Sequence, residues 1–289
     1  MIVASDSACE IKVYSGLIMR TIIYAIILIF VSAFPATAED LSKLSNEALI
    51  DQLVNIDAPA PGLSGGGIYD SFMALDGTTR FMGGLLGAVQ PPAVPAEMKE
   101  LTHRGAAALP ELLAHLDDSR QTKLAIERSF LDVNFGEDWF SESPKRKPTF
   151  STNAAIKDEM TDLSNRRNKE AQFHVKVGDV CYVLVGQIVG RNLAAARYQP
   201  SGILVINSPI FEPSLAEEVK AEWGGVTAEG LKASLLRDID SESNPYALST
   251  AFVRLKYYFP EAYGQLTGDR LEKRVAYEKA TSKETGEKK

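Results

Sequence analysis

Apolar residues recur along most of this chain at the three- and four-residue spacing of helices that face a core. Leu49, Leu53 and Ile56 form one such stripe behind Ser45, whose hydroxyl is placed to cap the helix. Met98 and Leu101 begin a second, which Leu109, Leu112, Leu113 and Leu116 continue. Asp117-Asp118-Ser119 breaks it, and Leu124, Ala125 and Phe130 predict another amphipathic helix beyond the break. Ser214-Leu-Ala-Glu217 has the form of a capping box, and Gly224-Gly225 ends the helix it opens. Thr227 caps the next, with Leu231, Leu235 and Ile239 inward. Asn244-Pro245 opens a third, with Leu248, Phe252, Leu255 and Phe259 inward, and Pro260 stops it. The pattern predicts a mainly α fold of amphipathic helical hairpins, an irregular orthogonal bundle with at most one or two short strands.

The extended pieces are Phe173–Val177, which alternates at period two, and the apolar run Ile203–Ile206. Between them lies VCYVLVGQIVG, the most apolar segment outside the N-terminal leader. With Asp179 as its N-cap it reads as a helix placing Cys181, Leu184, Val185 and Ile188 on one face. Its β-branched residues leave a buried strand over 180–190 as the alternative. Gly186 and Gly190 would let another backbone approach closely. Residues 57–95 interrupt the periodicity: 13 of these 39 are Gly or Pro, which predicts a long loop with room for one short helix around Tyr69–Leu75. Residues 135–152 read as a second loop and Ala154–Glu170 as a polar helix. Residues 267–289 read as a charged helix to about Lys279 and a frayed tail.

Thr21–Phe34 is apolar and uncharged, with Arg20 before it and Ala36-Thr37-Ala38 after it. A basic flank, a short apolar run and an A-x-A site make a secretory signal peptide over residues 1–38, cut between Ala38 and Glu39. Asp6 and Glu10 do not suit a basic leader. Met19-Arg20 offers a tidier start, which would make residues 1–18 an overlong one. An uncut membrane anchor is the lesser alternative, because the run is short for a hydrocarbon core of about 30 Å. The expected compartment is therefore the periplasm or the exterior. No membrane span is expected after cleavage, and 39–266 forms one α-helical domain.

The unit 104–133, helix, aspartate turn and predicted helix, resembles one HEAT-type repeat. No second copy stands at the period of about 40 residues that an array needs. Gly178–Pro209 is similar to a segment of uncharacterised bacterial exported proteins carrying G-D-x-C and R-Y-Q-P runs. That similarity implies a bacterial origin and transfers no residue role.

Charge narrows the partners. The chain carries 31 Lys+Arg against 38 Asp+Glu, a net of −7. The leader is neutral and the tail after Leu266 is basic, so the body is the acidic part, and nucleic acid is not an expected partner. Of two cysteines, Cys9 falls in the leader and Cys181 lies among apolar residues, where a thiol is a small hydrophobe with a raised pKa. Gly62-Leu-Ser-Gly-Gly66 matches G-x-S-x-G, but Asp57-Ala-Pro-Ala-Pro61 cannot supply the strand that a nucleophile elbow needs. It reads as a flexible glycine-rich loop. His103, His115 and His174 fit no zinc spacing. Asp238, Asp240 and Glu242 begin like a calcium loop, yet Ser243 and Ser249 stand where glycine and glutamate belong. Lys145–Lys147 and Arg166-Arg167 read as solvated faces, and Tyr257, Tyr258 and Phe259 as core and rim. No catalytic, metal or cofactor residue is nominated and no cofactor is expected. Arg191, Arg197 and Tyr198, which flank the apolar segment, are the candidates for a binding groove. The expected function is a non-catalytic exported helical protein that contacts an envelope protein. The alternatives are an envelope hydrolase with a site assembled from distant residues, and a small-ligand or lipid carrier.

Overall fold

A computed structural model describes residues 40–64, 68–70, 72–75, 80–83, 93–127, 133–135, 172–198, 204–241 and 245–286. The segment expected to be a signal peptide, with Ala38 and Glu39, the cluster Lys145–Lys147 and the helix expected over Ala154–Glu170 all lie outside the described residues. The described elements from Leu41 onward belong to one folded unit, and that unit is mainly helical.

Its centre is the segment that sequence left between helix and strand. Val177–Val189 is a helix, α4, with every residue buried except Gln187. A helix apolar on all sides is stable only when neighbours enclose it. Those neighbours are α2 (Ala96–Arg104), α3 (Leu109–Ala114) and α6 (Ala228–Asp240), together with a 3₁₀ turn, Leu53–Asn55, that continues α1 (Asn46–Gln52). Asp179 is not its N-cap. The helix begins earlier, at Val177, and the Asp179 carboxylate reaches back to accept the Lys176 N–H at 2.9 Å. At the other end Gly190 takes φ 78°, and the N–H groups of Gly190 and Arg191 both donate to the Gly186 carbonyl at 3.0 Å.

Of the other caps read from sequence, two form, one does not, and Asn244 lies outside the described residues. Ser45 accepts from the Ala48 N–H at 3.1 Å, and Thr227 from the Gly230 N–H at 3.2 Å. Helix α5 (Pro213–Trp223) starts at its proline, so Ser214 is not a cap; its hydroxyl donates to Glu212 at 2.7 Å instead. Proline is suited to this first position because its missing N–H would have no helical partner there. Helices α7 (Pro245–Tyr258), α8 (Pro260–Gly264) and α9 (Gly268–Gly286) complete the C-terminal half, and α9 runs past Lys279.

The short strands form three small sheets. Strands β1 (Leu63–Ser64), β7 (Ala196–Tyr198), β8 (Leu204–Ile206) and β5 (Val133–Phe135) lie side by side in that order. The outer pairs are parallel and the central one antiparallel. Strands β2 (Ile68–Asp70) and β3 (Arg80–Gly83) pair antiparallel, so the helix expected around Tyr69–Leu75 is a strand end followed by a turn. Strand β4 (Gln121–Glu127) pairs antiparallel with β6 (Gln172–Lys176). The described residues of the unit 104–133 are therefore helix, turn and strand, and where the HEAT-type resemblance needs a second helix, residues 121–127 form a strand. Thr122, Leu124 and Ile126 are buried while Gln121 and Lys123 are exposed, a period of two that overrides the looser helical spacing of Leu124, Ala125 and Phe130.

Candidate functional site

The residues nominated as a groove are not shown to converge. Arg191 follows the α4 cap and grips Asp238 of α6 at 2.7 and 3.1 Å, with its guanidinium 5.4 Å from the Trp223 ring of α5. That fork ties three helices together. Arg197 and Tyr198 lie in β7, opposite Val205 and Leu204 of β8, and their side chains fall outside the described residues. The two aspartates that resemble a calcium loop point to different partners. Asp238 takes Arg191, while Asp240 takes Arg270 of α9 through two contacts of 2.7 Å that hold its carboxyl below the usual range. Acids at this helix end oppose the macrodipole, and Lys273 offsets them by donating to the Ile239 carbonyl at 3.1 Å.

The G-x-S-x-G match has neither flank of an elbow. Leu63–Ser64 is strand β1 in the four-stranded sheet, and the next described element, β2, is extended. Its described residues, Gly62–Ser64, form a turn and a strand where a flexible loop is expected from sequence. Gly62 at φ 78° lets the chain pass so close to Val183 that a Cβ would meet that side chain at 2.7 Å. Cys181 is buried, and burial pushes its thiol far up, away from thiolate chemistry. Among the described residues no three His, Cys, Asp or Glu side chains are grouped to hold a metal ion.

The densest convergence of charge is one that sequence did not nominate. Glu47 of α1, His115 at the end of α3, and Asp118 and Arg120 in the turn before β4 meet with Asp51 of α1. The His115 Nδ1 lies 3.0 Å from Asp118, and its Nε2 lies 3.1 Å from each Glu47 oxygen. Arg120 bonds Asp118 at 2.7–3.0 Å and Asp51 at 2.6 Å. For His115, burial works against the charged ring, but the hydrogen bonds and charges of Asp118 and Glu47 outweigh it, so its pKa is raised. For Asp118, burial works upward and is outweighed by Arg120 and His115, so its pKa is lowered. The same turn holds the central helix, since the N–H groups of Val177 and Gly178 donate to the carbonyls of Arg120 and Asp118 at 2.9 Å. The i, i+3 relation of His115 and Asp118 was visible in sequence. Glu47 and Asp51, 68 and 69 residues from their partners, were not.

A second polar group sits at the α4 N-terminus. Asp179 accepts from the Ser208 hydroxyl, and the Lys176 ammonium lies 4.7 Å from the Phe211 ring. All four residues are buried. A third lies at the opposite end, where Arg254 donates to the Gln187 carbonyl at 2.6 Å and stacks 4.7 Å from Phe72. Phe72 meets Tyr257 and Tyr258 edge-on, and the Tyr258 hydroxyl donates to the Thr102 carbonyl. These aromatics are core and rim, as their sequence context implied. Each cluster joins elements distant in sequence, and at the third the Tyr257 hydroxyl lies 2.5 Å from the His103 Nδ1.

No known protein family, curated protein or solved structure matches the chain. What the fold defines is a class, a mainly helical unit built around a buried central helix. No helix among the described residues is long and apolar enough to cross a membrane.

Proposed function

We propose that the chain is a non-catalytic, exported helical protein that acts through protein contacts in the bacterial cell envelope. The observation that carries this reading is the division of α9 into two faces. Arg270, Lys273, Arg274 and Tyr277 are turned onto the body, where Tyr277 stacks on Phe252 at 5.2 Å. Glu272, Val275, Ala276 and Lys279 face outward, and Val275 is 53% exposed, the one exposed large hydrophobic among the described residues. The convergent charged groups, by contrast, are committed to holding elements together. A photo-crosslinking residue at Val275, in the full chain exported by a bacterium, should give one discrete adduct that the same residue at Glu222 does not. Identical patterns at both positions, or recovery of the chain outside the exported fraction, would count against the proposal.

The rival reading, an envelope hydrolase, draws on the 3.0 Å His115–Asp118 pair. It requires that the purified chain hydrolyse an ester, peptide, glycoside or phosphate and that His115→Ala abolish the activity. The occupied Nε2 of His115 weighs against it, because a general base needs that nitrogen's lone pair directed at substrate.

A further inference from the structure

We propose that Glu47, His115 and Asp118 form a proton-controlled clamp that fastens helix α1 to the turn before β4, closed while the imidazole carries two protons and loosened when it loses one. The argument is donor arithmetic. An ionised carboxylate offers only lone pairs, so each ring contact needs an N–H from His115. Neutral imidazole has one N–H and imidazolium has two. With Asp118 at 3.0 Å from Nδ1 and both Glu47 oxygens at 3.1 Å from Nε2, only the doubly protonated ring satisfies both sides. Loss of either proton turns a lone pair toward a carboxylate.

The surroundings decide which side of the clamp moves as the ring titrates. On α1, Asp51 is held by Arg120, and Asn46 donates to Glu111 at 3.2 Å and to the Ala107 carbonyl at 2.8 Å. On the turn, Arg120 also grips Asp118, so that side stays fixed whatever the ring does. On α4, Asp179 is turned away to Lys176 and Ser208. The charges that act on His115 are those of Glu47 and Asp118. Glu47 is therefore the side that lets go: its side chain is 58% exposed, whereas that of Asp118 is 11% exposed.

The raised pKa of the folded state fixes the direction. The contribution is complete below the unfolded histidine value, about 6.5, and is lost as pH rises through the higher folded value. The test is amide hydrogen exchange of the full chain from pH 5.5 to 9, with α6 amides as the internal reference for the chemistry of exchange. Protection of the α1 amides relative to α6 should fall by about two- to fivefold across the His115 titration, the scale of a partly exposed ion pair. His115→Gln should make that ratio pH-independent. If His115→Gln does not fold, Glu47→Gln at the exposed side should lower the midpoint of the His115 ring titration followed by NMR. An α1 to α6 ratio that is flat in the natural chain, or that falls equally in the variants, would overturn the proposal.

Discussion

Gly178 and Gly230 are both helical glycines, and intrinsic propensity assigns each the same gain of about 0.5–1 kcal/mol on replacement by alanine. Their surroundings separate them. A Cβ at Gly178 would stand 2.6 Å from the Leu116 carbonyl oxygen and 2.8 Å from the Ile210 side chain. The Leu116 carbonyl belongs to the turn carrying the His115 clamp and cannot move alone. Overpacking of that kind costs about 1–3 kcal/mol, more than propensity returns. At Gly230 the nearest atoms are Val226 and Thr227 side chains at 3.5 and 3.7 Å, ordinary contact distances. Gly178→Ala should therefore lower the melting temperature and Gly230→Ala raise it, as calorimetry of the two variants would show. The distinction was not legible in sequence, where each glycine is an imperfection in a helical pattern. The same holds for Asp179, which reads as an N-cap because it is the first polar residue before an apolar run. Its place two positions inside α4 depends on Ser208, 29 residues away, and on the Lys176 N–H.

Elements were legible where one side of a segment is solvent, because only then does burial leave a period in the sequence. The stripe Leu231, Leu235 and Ile239 gives α6, with its Thr227 cap, almost to the residue. Helix α4 has no polar side, so periodicity could not choose between helix and strand; enclosure by other helices decides it. Strand β4 failed for a different reason. Its seven residues are too few to separate period two from the helical spacing of three apolar residues, and its partner β6 lies more than 40 residues on. Helix α9 reads in sequence as a charged helix that frays after about Lys279, and what sequence does not show is its specific docking. Tyr277 stacks on Phe252, and Arg274 lies over Tyr263 at 5.3 Å. Tyr277→Ala should cost about 1–2 kcal/mol, from lost apolar area and ring stacking, and hasten proteolysis within 268–286. Asp240→Asn breaks a pair whose side chains are 38% and 47% exposed, so it should cost less than about 1 kcal/mol. That smaller loss should shrink further in high salt. Denaturant titrations of both variants at two salt concentrations distinguish stacking from charge as what holds the helix.

At the scale of the molecule, stability rests on one buried helix contacted by elements from both ends of the described chain, without a disulfide. Cys181 lies in the middle of that helix, fully buried, which makes it a reporter on how the whole unit opens. Two routes could expose it. A local route would lift α1 and the 3₁₀ turn after it; a global route would separate α2, α3 and α6 from α4 together. The local route leaves Leu101, Leu109, Leu112 and Leu235 in place, all at most 1% exposed and part of the same core. The global route is therefore the one that brings reagent to the sulfur. Burial also holds the thiol well above its ordinary pKa, so the native state supplies almost no thiolate at pH 8. In a Cys9→Ser chain, labelling of Cys181 by a thiol reagent should accelerate with urea on the slope of global unfolding. Labelling that ignores low urea would mean a local door, and the edge closed by the His115 clamp would be the place to look for it. Repeating the measurement at pH 6 and 9, after correcting for reagent chemistry, separates the two: a global route leaves the urea slope unchanged, while a door at α1 flattens it only at the higher pH.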